Sequence, residues 1–162
     1  MSKKFSLFMN QEGSVVVFTL MVLTLLTIVG LASIYNANTE LEIASADLIY
    51  QRNFYMAEGA AMEAADWLDN NPITASSGPS WMELTPGDLN SATIGDYWAG
   101  SKATQPQTST IDADASYMAC YEGVSAGSSL DVSKSKLHDI SIYGRSEKRG
   151  AAEIRIGYRM AF

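Results

Sequence analysis

The sequence predicts an α+β fold: a long N-terminal helix, apolar in its first half, with a small antiparallel β-sheet laid on its second half. Three observations predict it. Ser14–Tyr35 runs for 22 residues with no charge, Pro, Asn or Gln. A helix of that length spans about 33 Å, enough for a hydrocarbon core of about 30 Å. No proline follows until Pro72, and large side chains recur every seven residues at Leu41, Leu48, Tyr55 and Met62. Near the C-terminus, three stretches alternate apolar and polar residues with the period of a half-buried strand.

The first element is the apolar helix with its flank. Lys3 and Lys4 precede it, and Glu12 is the only acid there. Positive charge on that side keeps the N-terminus in the cytoplasm and sends the remainder across the membrane. A secretory signal has a shorter apolar core, about 7–15 residues, followed by a small-residue cleavage site. Here more helix former follows Ala32-Ser33, so the apolar run is expected to stay on the mature protein. On residues alone, it reads as a single-pass anchor.

The second element continues the first. Past Tyr35 the chain becomes amphipathic without a break, and seven residues is close to two helical turns. Leu41, Leu48, Tyr55 and Met62 therefore share a face, broadened by Ala44, Ala65 and Trp67. Glu40, Glu42, Asp47, Glu63 and Asp66 lie mostly elsewhere. Asp69-Asn70-Asn71-Pro72 is a stop signal, because the residue before proline is pushed out of the helical region. One helix from about Gly13 to Asp69, on the order of 85 Å long, is the expectation. A hinge near Asn36-Ala37-Asn38 is the alternative.

The third element is a head over residues 70–162. Residues 70–115 hold all four prolines and read as loops. Within them Trp81, Leu84, Tyr97 and Trp98 are expected to plug the seam against the helix. Residues 116–162 form the sheet. Strands are expected at 116–122, 139–145 and 152–160, the last two joined by a hairpin at Ser146–Gly150. Ile154, Ile156, Tyr158 and Met160 lie on one face of the last strand, with Glu153, Arg155, Gly157 and Arg159 on the other. A sheet with one wet face needs cover on the other, and the stripe Leu41/Leu48/Tyr55/Met62 is the expected cover.

Composition narrows the function. The chain has 162 residues, 47% hydrophobic, and a net charge of −7. An acidic chain with no basic stripe argues against nucleic-acid binding. One cysteine, Cys120, allows no intrachain disulfide and reads as a small buried hydrophobe. His138 is the only histidine and has no triad or dyad partner in the sequence pattern, so no catalytic site is expected. Asp112-Ala113-Asp114-Ala115-Ser116 starts like a calcium loop. It lacks the Gly and the closing Glu, standing instead at Tyr117 and Gly123. No cofactor or metal is expected. Arg145, Lys148, Arg149, Arg155 and Arg159 give the C-terminal hairpin a basic patch suited to an acidic neighbouring subunit.

The flanks of the helix carry a family resemblance. Gln11-Glu12-Gly13-Ser14 ends a short polar, basic leader in a Gly directly before the apolar run. Asn38-Thr39-Glu40-Leu41-Glu42-Ile43-Ala44 follows it, then Gln51-Arg52-Asn53-Phe54-Tyr55-Met56-Ala57-Glu58-Gly59-Ala60. Over residues 10–68 the set resembles the N-terminal region of PilX-type minor pilins of type IV pilus systems. In that family an aromatic-x-x-Ala-Glu-(small)-Ala signature lies in the soluble half of the helix. Phe54, Ala57, Glu58, Gly59 and Ala60 fill it.

The resemblance implies a pilin-like fold and the divisions 1–13 as leader, 14–35 as membrane and filament-core helix, and 36–69 as its amphipathic continuation. It implies that a prepilin peptidase cuts between Gly13 and Ser14, leaving a new N-terminus that becomes methylated. Phe18, Leu23 and Leu26 then belong to the filament-core helix. Major pilins carry a Glu at the fifth residue after the cut, thought to pair with a neighbour's terminal amine; Phe18 stands there. A buried carboxylate costs several kcal/mol unless neutralised. Its absence fits a subunit at the end of a filament, in a priming or tip complex. The implied partners are other minor and major pilins, the peptidase and the inner-membrane pilus assembly platform. The implied location is the bacterial inner membrane with a periplasmic head, then the pilus fibre. A K-type pseudopilin of type II secretion also lacks that Glu, but usually carries a much larger head. A membrane-anchored extracytoplasmic binding module is the remaining alternative.

Overall fold

A computed structural model describes residues 11–71, 73–128 and 135–161. Most of the leader, residues 1–10, and Pro72 of the stop signal lie outside the described residues. The first element is one α-helix, α1 (Gln11–Asn70). No break occurs at Asn36-Ala37-Asn38. The chain divides into two compact units between Ala46 and Asp47, so α1 contributes to both.

The second unit is a helix-on-sheet structure. After α1 come β1 (Met82–Glu83), the short helix α2 (Ile94–Trp98), β2 (Gln107–Thr108), β3 (Ala115–Val124), β4 (Leu137–Ser146) and β5 (Ala152–Ala161). The three long strands occupy the three stretches expected from alternation, each one to three residues longer. β3, β4 and β5 pair antiparallel in order, and β1 and β2 both add to the outer side of β3. β1 pairs with β3 in parallel, so the sheet is mixed rather than purely antiparallel. Residues 70–115 are correspondingly not all loop. A bulge between Tyr121 and Gly123 shifts the β3–β4 register. Gly123 takes φ 113° there, a conformation that favours glycine.

The cover on the sheet's inner face differs from the expected stripe. Leu41, Leu48, Tyr55 and Met62 are all exposed. The buried face of α1 is Asn53, Ala57, Ala60, Ala61, Ala64, Ala65 and Leu68. At 100° per residue this face lies on the opposite side of the helix. The reason is the depth of contact. A Cβ on Gly144 of β4 would collide with the Ala57 carbonyl oxygen and lie 3.0 Å from the Ala61 Cβ. Helix backbone meets strand backbone here, and only small side chains fit between them. Larger apolar residues meet elsewhere in the same layer. Leu68, Trp81, Tyr117, Ile140 and Ile142 pack together, and the Trp67–Trp81 and Trp81–Tyr117 rings meet edge to face at 5.3 and 5.1 Å.

The sheet's other face is also partly covered, contrary to the expected wet face. Leu89, Tyr97, Met118, Cys120 and Tyr143 form a second apolar cluster, with Ile94 and Trp98 at its margin. Tyr97 and Trp98 thus lie across the sheet from the helix, whereas Trp81 and Leu84 do pack on the helix side. Cys120 is buried within this second cluster.

Two phenols in these layers are tied to carboxylates. Burial, then the charge and hydrogen bond of Glu83, push Tyr97 up to about 12. Burial, then the hydrogen bond to Asp69, push Tyr158 up to about 12. An unfolded tyrosine ionises near 10. The folded state holds both protons more tightly, so their stabilisation is complete below about pH 10 and is lost as pH rises through about 12. An alkaline titration is expected to show two tyrosines ionising only as head structure is lost, read by tyrosinate absorbance against circular dichroism. Complete tyrosinate formation near pH 10 with the fold intact would contradict this.

Candidate subunit interface

The first half of α1 presents apolar side chains all round. Phe18, Leu23 and Leu26 are 66%, 62% and 64% exposed. Four hydroxyls along this stretch are satisfied internally. Thr19, Thr24, Thr27 and Ser33 donate to the carbonyls of Val15, Leu20, Leu23 and Val29, four residues back, at 2.6–3.0 Å. A hydroxyl paired with its own helix does not need water, which suits lipid or a dry helix bundle. Among the described residues, this is the one helix long and apolar enough to cross a membrane. Gly13 and Ser14 lie at its start, both exposed. A Cβ on Gly13 would meet no atom of the described residues within 4 Å.

Farther along, the outward face of α1 carries Leu41, Leu48, Tyr55 and Met62, 57–68% exposed. Ile43 and Tyr50 are also exposed, but on the opposite side of the helix. Exposed apolar surface of this extent on one element marks an interaction site. The aromatic-Ala-Glu-small-Ala segment divides between the two sides of the helix. Ala57 and Ala60 are fully buried against the sheet. Gly59 lies under Ile111, whose Cδ1 would be 3.0 Å from a Cβ there. Glu58 is exposed, and Phe54 is 39% exposed with its ring edge-on to Tyr55 at 5.8 Å.

Asn53, given no role by sequence, and Glu63, expected among the acids away from the apolar face, clamp the head to the helix. Asn53 is 2% exposed; it donates to the Lys148 carbonyl at 3.1 Å and accepts from the Ser146 hydroxyl at 3.3 Å. Glu63 accepts from the Ser109 hydroxyl and the Thr110 N–H. A polar residue at Asn53, in phase with Ala57, Ala60 and Ala64, was the available signal.

The five hairpin cations do not make one surface. Arg145, Arg155 and Arg159 lie on the outer face of the sheet, while Lys148 and Arg149 lie in the turn after β4. Arg145 pairs with Glu147, Lys148 with Asp114 at 3.1 Å, Arg155 with Glu122 at 2.9 Å and Arg159 with Asp139 at 2.7 Å. Arg149 takes a left-handed backbone, φ 55°, and lines a shallow hollow with Ile49, Arg52 and Lys148. The Arg159 guanidinium holds the Asp139 carboxyl below its usual range. The Asp114 N–H, then Arg52 at 3.2 Å and the Lys148 charge, do the same for Asp112. Asp112 and Asp114 are thus both engaged with cations of the chain itself. His138 Nδ1 and the Tyr121 hydroxyl are 2.7 Å apart in the core.

The face of α1 that the head leaves uncovered coincides with a known sequence pattern. Residues 12–61 match the PilX N-terminal family. The match begins beside Gly13 and ends within the alanine face. It therefore spans the apolar run, most of the exposed stripe and the whole of Phe54–Ala60. A PilX N-terminal region is that of a type IV pilin-like protein, a structural and non-enzymatic kind. A single N-terminal apolar helix followed by an α+β head fits a membrane-anchored pilin. No curated protein and no solved structure matches the chain.

Proposed function

We propose that the protein is a minor pilin that takes part in type IV pilus assembly by helix packing and subunit contacts, without catalysis. The carrying observation is the exposed stripe Leu41, Leu48, Tyr55 and Met62, opposite the alanine face that its own head occupies. Covering such a stripe contributes about 25 cal/mol per Å² of apolar surface removed from water. Side chains of neighbouring pilins are the natural cover once Ser14–Tyr35 leaves lipid for a filament core.

In this reading a prepilin peptidase removes residues 1–13. The helix then waits in the inner membrane with the head in the periplasm, and the assembly platform transfers it into the fibre. Phe18 in place of a carboxylate removes the means of attracting a neighbour's terminal amine, which suits a priming or tip position. The Leu48→Asp/Met62→Asp double variant tests the packing. Both positions point away from the sheet, so the head should melt as in the parent. The variant is expected to accumulate in the membrane and fall at least about ten-fold in the sheared-fibre fraction, the effect of losing about 1.4 kcal/mol. Recovery in that fraction at parental levels would overturn the packing role, and labelling along the whole fibre would overturn the tip position.

A further inference from the structure

β5 is the last strand of the sheet. Its ten residues pair one for one with β4, and among the described residues no strand pairs with its other side. The ladder shows which backbone groups lie along that side. Ser125 N–H donates to the Leu137 carbonyl at 2.7 Å, so odd-numbered β4 residues turn their backbone groups toward β3 and even-numbered ones toward β5. In β5 the even-numbered residues answer them. The N–H and C=O groups of Glu153, Arg155, Gly157, Arg159 and Ala161 therefore point outward.

A long edge of this kind invites another strand, and proteins usually blunt it with a bulge, a proline or splayed charges. β5 has no bulge and no proline. Its charged side chains are drawn back across its own sheet. Arg155 reaches Ser141 and Glu122, Arg159 reaches Asp139, and Glu153 accepts from the Trp98 indole at 2.9 Å. At Gly157 there is open space.

We propose that this edge docks onto the same edge of a second copy of the chain, antiparallel, with Ile156 opposite Ile156. In that register the outward-pointing residues match: Glu153 faces Arg159, Arg155 faces Gly157, and each pair occurs twice. On the inner face Ile154 meets Tyr158 and Ala152 meets Met160, adding to half-buried apolar surface. A shift of two residues either way puts Arg155 opposite Arg155 or Arg159, where like charges repel. The two-fold axis stands normal to the sheet, so residues 47–70 of α1 run in opposite directions in the two copies. The inference does not depend on the filament reading.

The test uses the full-length protein in detergent. Ile156 opposite itself is a non-hydrogen-bonded pair, with Cα atoms about 4.5 Å apart, within disulfide range. Oxidation should link Ile156→Cys into a covalent dimer. It should leave the parent, whose Cys120 is buried, and Arg155→Cys as monomers. Arg159→Glu should weaken association about ten-fold, and Glu153→Arg/Arg159→Glu should restore it. Gly157→Pro removes an outward N–H without touching the β4 ladder and should also abolish the dimer, with little change in melting. No link through Ile156→Cys, equal linking through Arg155→Cys, or no restoration by the double charge swap would overturn the proposal.

Discussion

Gly144→Val is expected to separate the head from its helix. The Ala57 carbonyl oxygen occupies the space a Cβ at Gly144 would need, and the Ala61 Cβ stands 3.0 Å away. Neither obstacle is the flexible end of a side chain. Both belong to a helix held at its flanks by Asn53 and Glu63. Overpacking a well-filled core costs about 1–3 kcal/mol. A collision with backbone lies at or above the top of that range. For a head of about this size, 3 kcal/mol lowers the melting temperature by roughly 10 °C or more. The matched control is Gly157→Val on the neighbouring strand, where nothing lies within 4 Å of the new Cβ. Thermal melting of both variants in detergent should show a large loss for Gly144 and little change for Gly157. Equal melting of the two would refute the backbone-to-backbone contact.

That contact also explains which parts of the fold were legible beforehand. β3, β4 and β5 were readable because each alternates over enough residues for the period of two to stand out. The continuity of α1 was readable because nothing between Gly13 and Asn70 breaks a helix. The covering face was misread because size was taken as the mark of burial. Leu41, Leu48, Tyr55 and Met62 form the more conspicuous pattern, but they stay exposed. The buried pattern was present as Ala57, Ala60, Ala61, Ala64, Ala65 and Leu68, at the spacing of one helix face. Its meaning depends on Gly144, about eighty residues later, and no local pattern links the two. β1 is two residues long and pairs in parallel, too short to leave a periodic signal. Tyr97 and Trp98 pack on the far face of the sheet rather than in the seam against the helix, because composition cannot say which side of a sheet an aromatic takes. The basic hairpin was visible as a cluster of residues. Two of its acidic partners, Asp114 and Glu122, come from other segments, so that part of the neutralisation was not.

The start of α1 carries the other large expectation. A glycine inside a helix costs about 1 kcal/mol relative to alanine. Among the described residues, no atom near Gly13 requires the missing side chain. Folding among the described residues gives no reason for glycine at this position, whereas the proposed cleavage after it does. Gly13→Leu should leave the helix at least as stable and block removal of the leader. On the pilin proposal, leader removal frees the Ser14 amine at the end of the apolar helix, where it can enter a filament core. The most direct measurement is the intact mass and N-terminal peptide of the protein recovered from cell envelopes. A mature chain beginning at methylated Ser14, with Gly13→Leu retaining residues 1–13, is the predicted result. A parent protein still beginning at Met1 would contradict the pilin account.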